Sequence, residues 1–247
     1  MLGFSLNDVL GMALVYAYIA IVFIIAEKVW KGDKAVGRKI LHISIGNIVF
    51  ILLLFDHWWA EVIIAGSALF FSLIITQRMQ RYFLSWLTPE NESRRFLKNM
   101  SRKILKRLSM ISSSGAGNEF GLVYYCLMFT LLASLFFRTP LVIAVGILPL
   151  AYGDGMGALV GQRYGRRLYQ IIDKKSFEGT MAVFLGTALA LLIGMVFYGL
   201  PLYDALWKAC FIGLAVAIVE GIAPWGLDNL AIPLIAVTLF LVMETIR

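Results

Sequence analysis

An all-α, polytopic integral membrane bundle of about eight transmembrane helices is the fold the sequence predicts, and three observations predict it. Of 247 residues, 60% are hydrophobic and 15% charged, where a soluble domain carries about half and about a quarter. Apolar runs approaching the roughly 20 residues that span a bilayer recur along the whole chain. The positive residues that give the net charge of +7 stand in a few blocks between those runs, the pattern of topology-setting and lipid- or phosphate-contacting charge rather than of a nucleic-acid-binding face.

The first span runs from about Val9 to Ala26 and is followed at once by Lys28, Lys31, Lys34, Arg38 and Lys39. It has no basic leader or small-residue cleavage site, so it is expected to be retained. The second, from about Ile40 to Phe55, turns at Asp56-His57 into the third, Trp58 to Thr76. Residues 77–118 form a basic loop, in which Leu97, Met100, Ile104 and Leu108 recur at helical spacing and predict an amphipathic helix in the headgroup region. The fourth span is Phe120 to Phe137, and Arg138-Thr139-Pro140 turns into the fifth. Leu141 to Tyr152 alone is too short to cross at 1.5 Å per residue. The helix must therefore continue through Gly153-Asp154-Gly155 toward Gly161, which sets a carboxylate on a membrane helix. The last three spans are about Thr180–Tyr198, Leu202–Ile222 and Asp228–Met243, with Pro233 inside the last. Cys126 and Cys210 lie in apolar runs without metal-type spacing and read as packing residues.

The basic loops follow alternate spans, so they share one side. By the positive-inside rule that side is cytoplasmic, both termini are outside, and the whole chain, 1–247, is one transmembrane domain. At the cytoplasmic face this topology gathers Lys39, His42, Asp154, residues Lys174 to Thr180, Glu220 and Asp228-Asn229.

An intramembrane carboxylate must be paired, hydrated or bound to metal, which makes Asp154 the leading candidate for chemistry. Around it Gly153, Gly157, Gly161 and Gly165 recur every four residues, a ridge suited either to close helix packing, within or between subunits, or to leaving room for a phosphate or cation. Arg166 and its neighbours read as positive-inside charge. Lys174, Lys175, Ser176, Gly179 and Thr180 precede or open a helix, where free N–H groups favour anions. Glu178 is suited equally to a metal or to a cap. Arg38 and Lys39 with His42 enter the second span in neighbouring helical rows, and His42 can move a proton or donate to a phosphate. Glu220 and Asp228 are oxygen donors of the kind Mg²⁺ takes, although Asp228 also suits a plain N-cap. His57, on the opposite face, is given no role.

On these residues the chain resembles the dolichol kinase, phytol kinase and CTP-dependent diacylglycerol kinase family, related to the phosphatidate cytidylyltransferases. The resemblance is carried by Arg38-Lys39 with His42, Gly153-Asp154 with Ala158, Gly161 and Gly165, Lys175-Ser176 with Glu178-Gly179-Thr180, and Glu220 with Asp228-Asn229 and Pro233. It implies transfer of the γ-phosphate of CTP, with Mg²⁺, to the hydroxyl of a membrane lipid or isoprenoid alcohol: phytol, geranylgeraniol, a polyprenol, dolichol or diacylglycerol. It further implies catalytic roles for Asp154, Lys175 and Glu178, and either His42 or Asp154 is expected to orient or deprotonate the alcohol. Nucleotide contacts fall to Arg38, Lys39, Gly153, Gly157, Gly161, Arg166, Lys174, Ser176, Gly179, Thr180 and Asn229, and metal contacts to Asp154, Glu220 and Asp228. A cytidylyltransferase is the alternative enzyme, but the late loop lacks that enzyme's Lys-Arg, Lys-Asp and His-Gly-Gly run. A transporter is the non-enzymatic alternative, and no internal repeat supports it.

Overall fold

The computed structural model describes residues 5–30, 34–76, 79, 82, 120–223 and 226–246. The expected basic loop, 77–118, and its amphipathic helix lie outside the described residues apart from Met79 and Tyr82, as do the side chains of Trp30, Lys34, Ala35 and Arg38.

Helix α1, Leu6–Trp30, leads to α2, Lys34–Gly46, which tightens into a 3-10 run, Asn47–Leu54. Next come α3, Trp58–Ile75, and α4, Gly121–Phe136. Helix α5, Pro140–Leu148, passes through a π-helical segment, Pro149–Asp154, into α6, Gly155–Tyr164. A short antiparallel hairpin, β1 Leu168–Gln170 and β2 Lys174–Ser176, precedes α7, Phe177–Phe197, α8, Leu202–Ile222, and α9, Asp228–Thr245. Six of these stretches are long and apolar enough to cross a membrane, and two shorter apolar runs, Lys39–Leu54 and Gly121–Phe136, accompany them. The architecture is that of a polytopic helical bundle, with the hairpin its one addition to an all-α plan among the described residues.

The 25-residue stretch Pro140–Tyr164 is the centre: 78% of its apolar window is buried, against 22–44% for the other five. Its length of about 37 Å exceeds the roughly 30 Å hydrocarbon core, so the helix does continue through Asp154. Pro149 has no N–H to give the preceding turn, and the helix answers with the π segment. Small residues then let neighbours close on it from two sides. A Cβ on Gly153 would lie 2.3 Å from Thr187 Oγ1 and one on Gly157 2.4 Å from Val183 Cγ2, so α7 rides directly on the glycine ridge. On the other side a Cβ on Gly46 would meet Ala151 at 2.3 Å, and one on Gly155 would meet Ile43 at 2.4 Å, which seats α2 against the π segment. At the far end of α7, Gly199 takes a positive φ of 91°. Leu200 N–H returns to Met195 O and Gly199 N–H to Val196 O, a Schellman turn that Pro201 then ends.

At the membrane side opposite Asp154, Asp8 joins the start of α1 to the turn before α3. Fully buried, it accepts from Ser5 N and Oγ, from the backbone N–H groups of Asp56 (3.0 Å) and His57 (3.2 Å), and from His57 Nδ1 at 2.7 Å. Ser5 Oγ in return accepts from Asp8 N, a reciprocal cap on α1. Asp8→Ala is expected to cost about 3 kcal/mol, since it strands several donors at once. Thermal unfolding in detergent will read this as a clear fall in midpoint, whereas His57→Ala, at a side chain 44% exposed, is expected to cost less.

Candidate active site

Lys39 and His42 lie three residues apart on α2 and so share a face. The close approach at Gly46 and Gly155 brings that face onto Asp154. Lys39 Nζ donates to Asp154 Oδ2 at 2.8 Å, and His42 Nε2 stands 3.2 Å from the same oxygen and 3.0 Å from the Leu150 carbonyl. All three side chains are largely withdrawn from solvent, at 12–14% exposure. With an acceptor on either side, Nε2 is the nitrogen that carries a hydrogen. Asp154 Oδ1 makes no hydrogen bond among the described residues.

One turn along the central helix a cavity of about 250 Å³ opens between α6, the hairpin, α7 and α8. Gly157, Gly161, Lys174, Lys175, Ser176, Gly179, Thr180 and Glu220 line it, together with Ala158 and Gln162. Its floor is narrow because Gly161 and Gly179 nearly touch: a Cβ on Gly179 would stand 3.2 Å from Gly161 Cα. Ser176 caps α7, accepting from Gly179 N at 3.1 Å. The hairpin register sets Tyr169 opposite Lys175, and Tyr169 OH meets Thr180 Oγ1 at 2.6 Å. Lys175 Nζ bonds both the carboxylate and the backbone carbonyl of Glu220, tying the hairpin to the end of α8.

The remaining sequence candidates fall around these two clusters. Glu178 accepts the backbone N–H groups of Arg166 (3.1 Å) and Arg167 (3.3 Å), so its carboxylate braces the strand leading into the hairpin. Arg166 is itself exposed. Gly153 is buried under Thr187. Asp228 opens α9 and accepts from Asn229 N at 2.8 Å. Asn229 is 8% exposed, and its Oδ1 has no hydrogen-bond partner among the described residues. Glu220 and Asp228 each feel the charges of Asp154, Lys39 and Lys175, so the two clusters form one electrostatic unit. No three metal-binding side chains are gathered into a ligand set among the described residues. Asp154 and Glu220 are each paired with a lysine instead. The Arg38 side chain lies outside the described residues.

Sequence reasoning missed Tyr169 and the Leu150 carbonyl. It also missed Tyr125, whose ring packs edge-on against His42 with centroids 4.7 Å apart. Neither tyrosine stands in a pattern that would have singled it out.

A phytol kinase of Synechocystis is 30% identical to the chain over 235 residues, which cover 91% of this chain and 88% of that protein. The chain belongs to the phytol and dolichol kinase family. A probable chloroplastic phytol kinase of maize is 25% identical over 216 residues, 82% of the chain and 64% of the maize protein's own length. A dolichol kinase of Schizosaccharomyces pombe is 34% identical over 90 residues, 36% of the chain and 17% of that protein. No family model matches the chain, and neither does any solved structure. As a member of this kinase family the chain is a phosphotransferase at the family level.

Proposed function

We propose that the chain is a lipid-alcohol kinase that transfers the γ-phosphate of CTP to the primary hydroxyl of a long-chain isoprenoid alcohol of the phytol or prenol type. The observation that carries this reading is the Lys39–His42–Asp154 cluster standing one turn from a glycine-floored cavity lined with Lys174, Lys175, Ser176 and Thr180. Phosphoryl transfer asks for cations and donors around the phosphates and an oriented acceptor, with little covalent work by the protein. Here Lys174 and Lys175 supply charge, Ser176 and Thr180 supply hydroxyls, and the start of α7 adds the positive end of its dipole. In this reading Glu220 keeps Lys175 extended over the cavity until a phosphate competes for it. Glu178 acts through the backbone it braces, Arg38, Lys39 and Arg166 add positive field, and Gly153, Gly157, Gly161 and Gly179 permit close approach.

The oxygen donors fit Mg²⁺, which commonly binds through one or two carboxylates plus substrate phosphates and needs no all-protein cage. Asp154, through the Oδ1 that no described neighbour bonds, would hold it, with Glu220 and Asp228 in its electrostatic reach. When bound, it supplies neutralisation of charge on the transferred group. The acceptor oxygen forms the new bond to the γ-phosphorus as the bond to the β-bridging oxygen breaks and CDP leaves. The hydroxyl proton passes to His42 Nδ1, and Asp154 holds the ring in the required tautomer through Nε2.

The site end of the bundle carries Lys28, Lys39 and the hairpin lysines, while the other end carries only Arg138 and the buried, carboxylate-paired Lys208 among the described residues. This distribution supports a cytoplasmic site with both termini outside, in one catalytic domain. The test is the fate of label from CTP carrying it at the α or γ position, using purified protein in nanodiscs with Mg²⁺ and a panel of phytol, geranylgeraniol, diacylglycerol and phosphatidate. γ-Label in an alcohol establishes the kinase and its acceptor. α-Label in lipid with released pyrophosphate makes the protein a cytidylyltransferase, and lipid movement without nucleotide turnover makes it a transporter.

A further inference from the structure

Beneath His42 a tyrosine hydroxyl has nothing to bond. Tyr125 is 1% exposed, yet its OH makes no hydrogen bond; only the side chains of Glu61, Thr187 and Asn229 share that condition among the described residues. A phenol shut away from water normally finds a partner, so its position marks a group that the chain itself does not supply. Where it stands says which group. Its ring lies against His42, and a Cβ on Gly46 would approach its oxygen to 3.4 Å. The hydroxyl therefore sits about one helical turn past His42 along α2, beside Gly46 and Ala151. A neutral oxygen suits such a place, and an anion does not.

Asn229 Oδ1, another unpartnered atom among the described residues, lies one turn away along α4. Its Nδ2 is 3.2 Å from the point where Gly121 would carry a Cβ, and Gly121 and Tyr125, four residues apart, share a face of α4. The two helices on either side of this place pack elsewhere. Helix α2 leans on α1, the π segment and α6, and α4 leans on α3, α5 and α9. They meet each other where the Tyr125 ring touches His42 and its hydroxyl approaches Gly46, a seam with α1 behind α2 and α3 behind α4.

Resting on the kinase reading, we propose that this seam is the acceptor site. The hydroxyl end of a long-chain primary alcohol lodges there, its oxygen accepting from Tyr125 and its proton directed to His42, while the hydrocarbon tail stays among the apolar helix faces. The alcohol hydroxyl and the γ-phosphate then meet beside Asp154, and the alcohol does not leave the bilayer to react. Tyr125 is then a substrate-binding residue that selects for a hydroxyl.

The experiment compares wild type with Tyr125→Phe, which removes one oxygen and keeps the ring, in nanodiscs with phytol, with geranylgeraniol or with the phytol-length hydrocarbon lacking the hydroxyl. Without alcohol, Y125F is expected to unfold at or above the wild-type temperature, since an unpaired polar atom has been deleted. In wild type phytol or geranylgeraniol raises the unfolding temperature and the hydrocarbon does not, and Y125F loses that difference. With CTP present, the KM for the alcohol rises about tenfold in Y125F, while the KM for CTP stays at its wild-type value. Wild-type KM and wild-type alcohol-dependent shift in Y125F, with γ-label still transferred, overturn the site and leave the kinase standing; the hydroxyl then holds only a buried water. Absence of any alcohol-dependent shift in the wild type also overturns it. A Tyr125-dependent shift without transfer of γ-label to any alcohol overturns the kinase reading and keeps the hydroxyl site.

Discussion

Asp154→Asn is expected to lower turnover by about 10³-fold while leaving the helical bundle assembled. The substitution keeps shape and one acceptor oxygen, so the Lys39 contact can persist in weakened form, and the glycine contacts that seat α2 and α7 on the central helix are untouched. What it removes is the charge that sets the His42 tautomer and gives a cation an oxygen to bind. The asparagine amide also brings donors to the place where His42 Nε2 now donates, so the ring turns or exchanges its proton to the other nitrogen. Transfer of γ-label to alcohol, normalised to folded protein by near-UV circular dichroism, is the measurement. A well-folded D154N protein with wild-type turnover removes Asp154 from the chemistry.

The second large effect is on stability and lies far from the site. Lys208 is 1% exposed and lies between Asp204 (3.0 Å) and Glu244, under the faces of Trp207 and Phe240 at 5.7 and 5.6 Å. Trp207 Nε1 donates to the other Asp204 oxygen at 2.9 Å. Lys208→Met keeps the stem volume but deletes the cation, leaving the carboxylates of Asp204 and Glu244 without it at the start of α8. Because Glu244 is 37% exposed and partly screened, the expected loss is about 3 kcal/mol, at the low end for breaking a buried pair. Thermal unfolding will show it as a fall of several degrees. Lys208 and Glu220 are separated by about 18 Å of helix, so turnover per folded molecule is expected to stay near wild type. Converting Asp204 and Glu244 to Asn and Gln in the same chain should recover most of the loss. If K208M alone unfolds like wild type, the cluster contributes nothing to stability.

The spans were legible because bilayer thickness leaves little freedom in where an apolar run must start and stop. The length argument also put Asp154 on a helix, since Leu141 to Tyr152 could not cross alone. Helical spacing set Lys39 and His42 in neighbouring rows, but it could not show that both reach one carboxylate oxygen, which depends on the contact of Gly46 with Ala151 more than a hundred residues away. Pairs across the chain stayed hidden for the same reason: His57 was given no role, yet it holds Asp8, 49 residues earlier. Lys208 was readable as one cation in an apolar run four residues after Asp204, but Glu244 was not. Strands of three residues are shorter than any period that could announce them, so the hairpin carrying Lys174 and Lys175 read as a loop. Glu178, left open between metal and cap, goes to two backbone amides that no side-chain pattern records.

Pro149 was in plain sight within the fifth apolar run, and its consequence is one of counting. A π turn holds one residue more than the α turn it replaces, and one residue amounts to about 100° of rotation. Everything after Asp154 is therefore swung by more than a quarter of a circle relative to a uniform helix, and in that orientation Gly157 and Gly161 meet α7 while Ala151 still meets α2. Losing a single residue between 149 and 154 would keep every site side chain in the sequence and point half of them at the wrong neighbour. The phase of the central helix, set by chain length at one point, is as much a component of this site as any group that lines it.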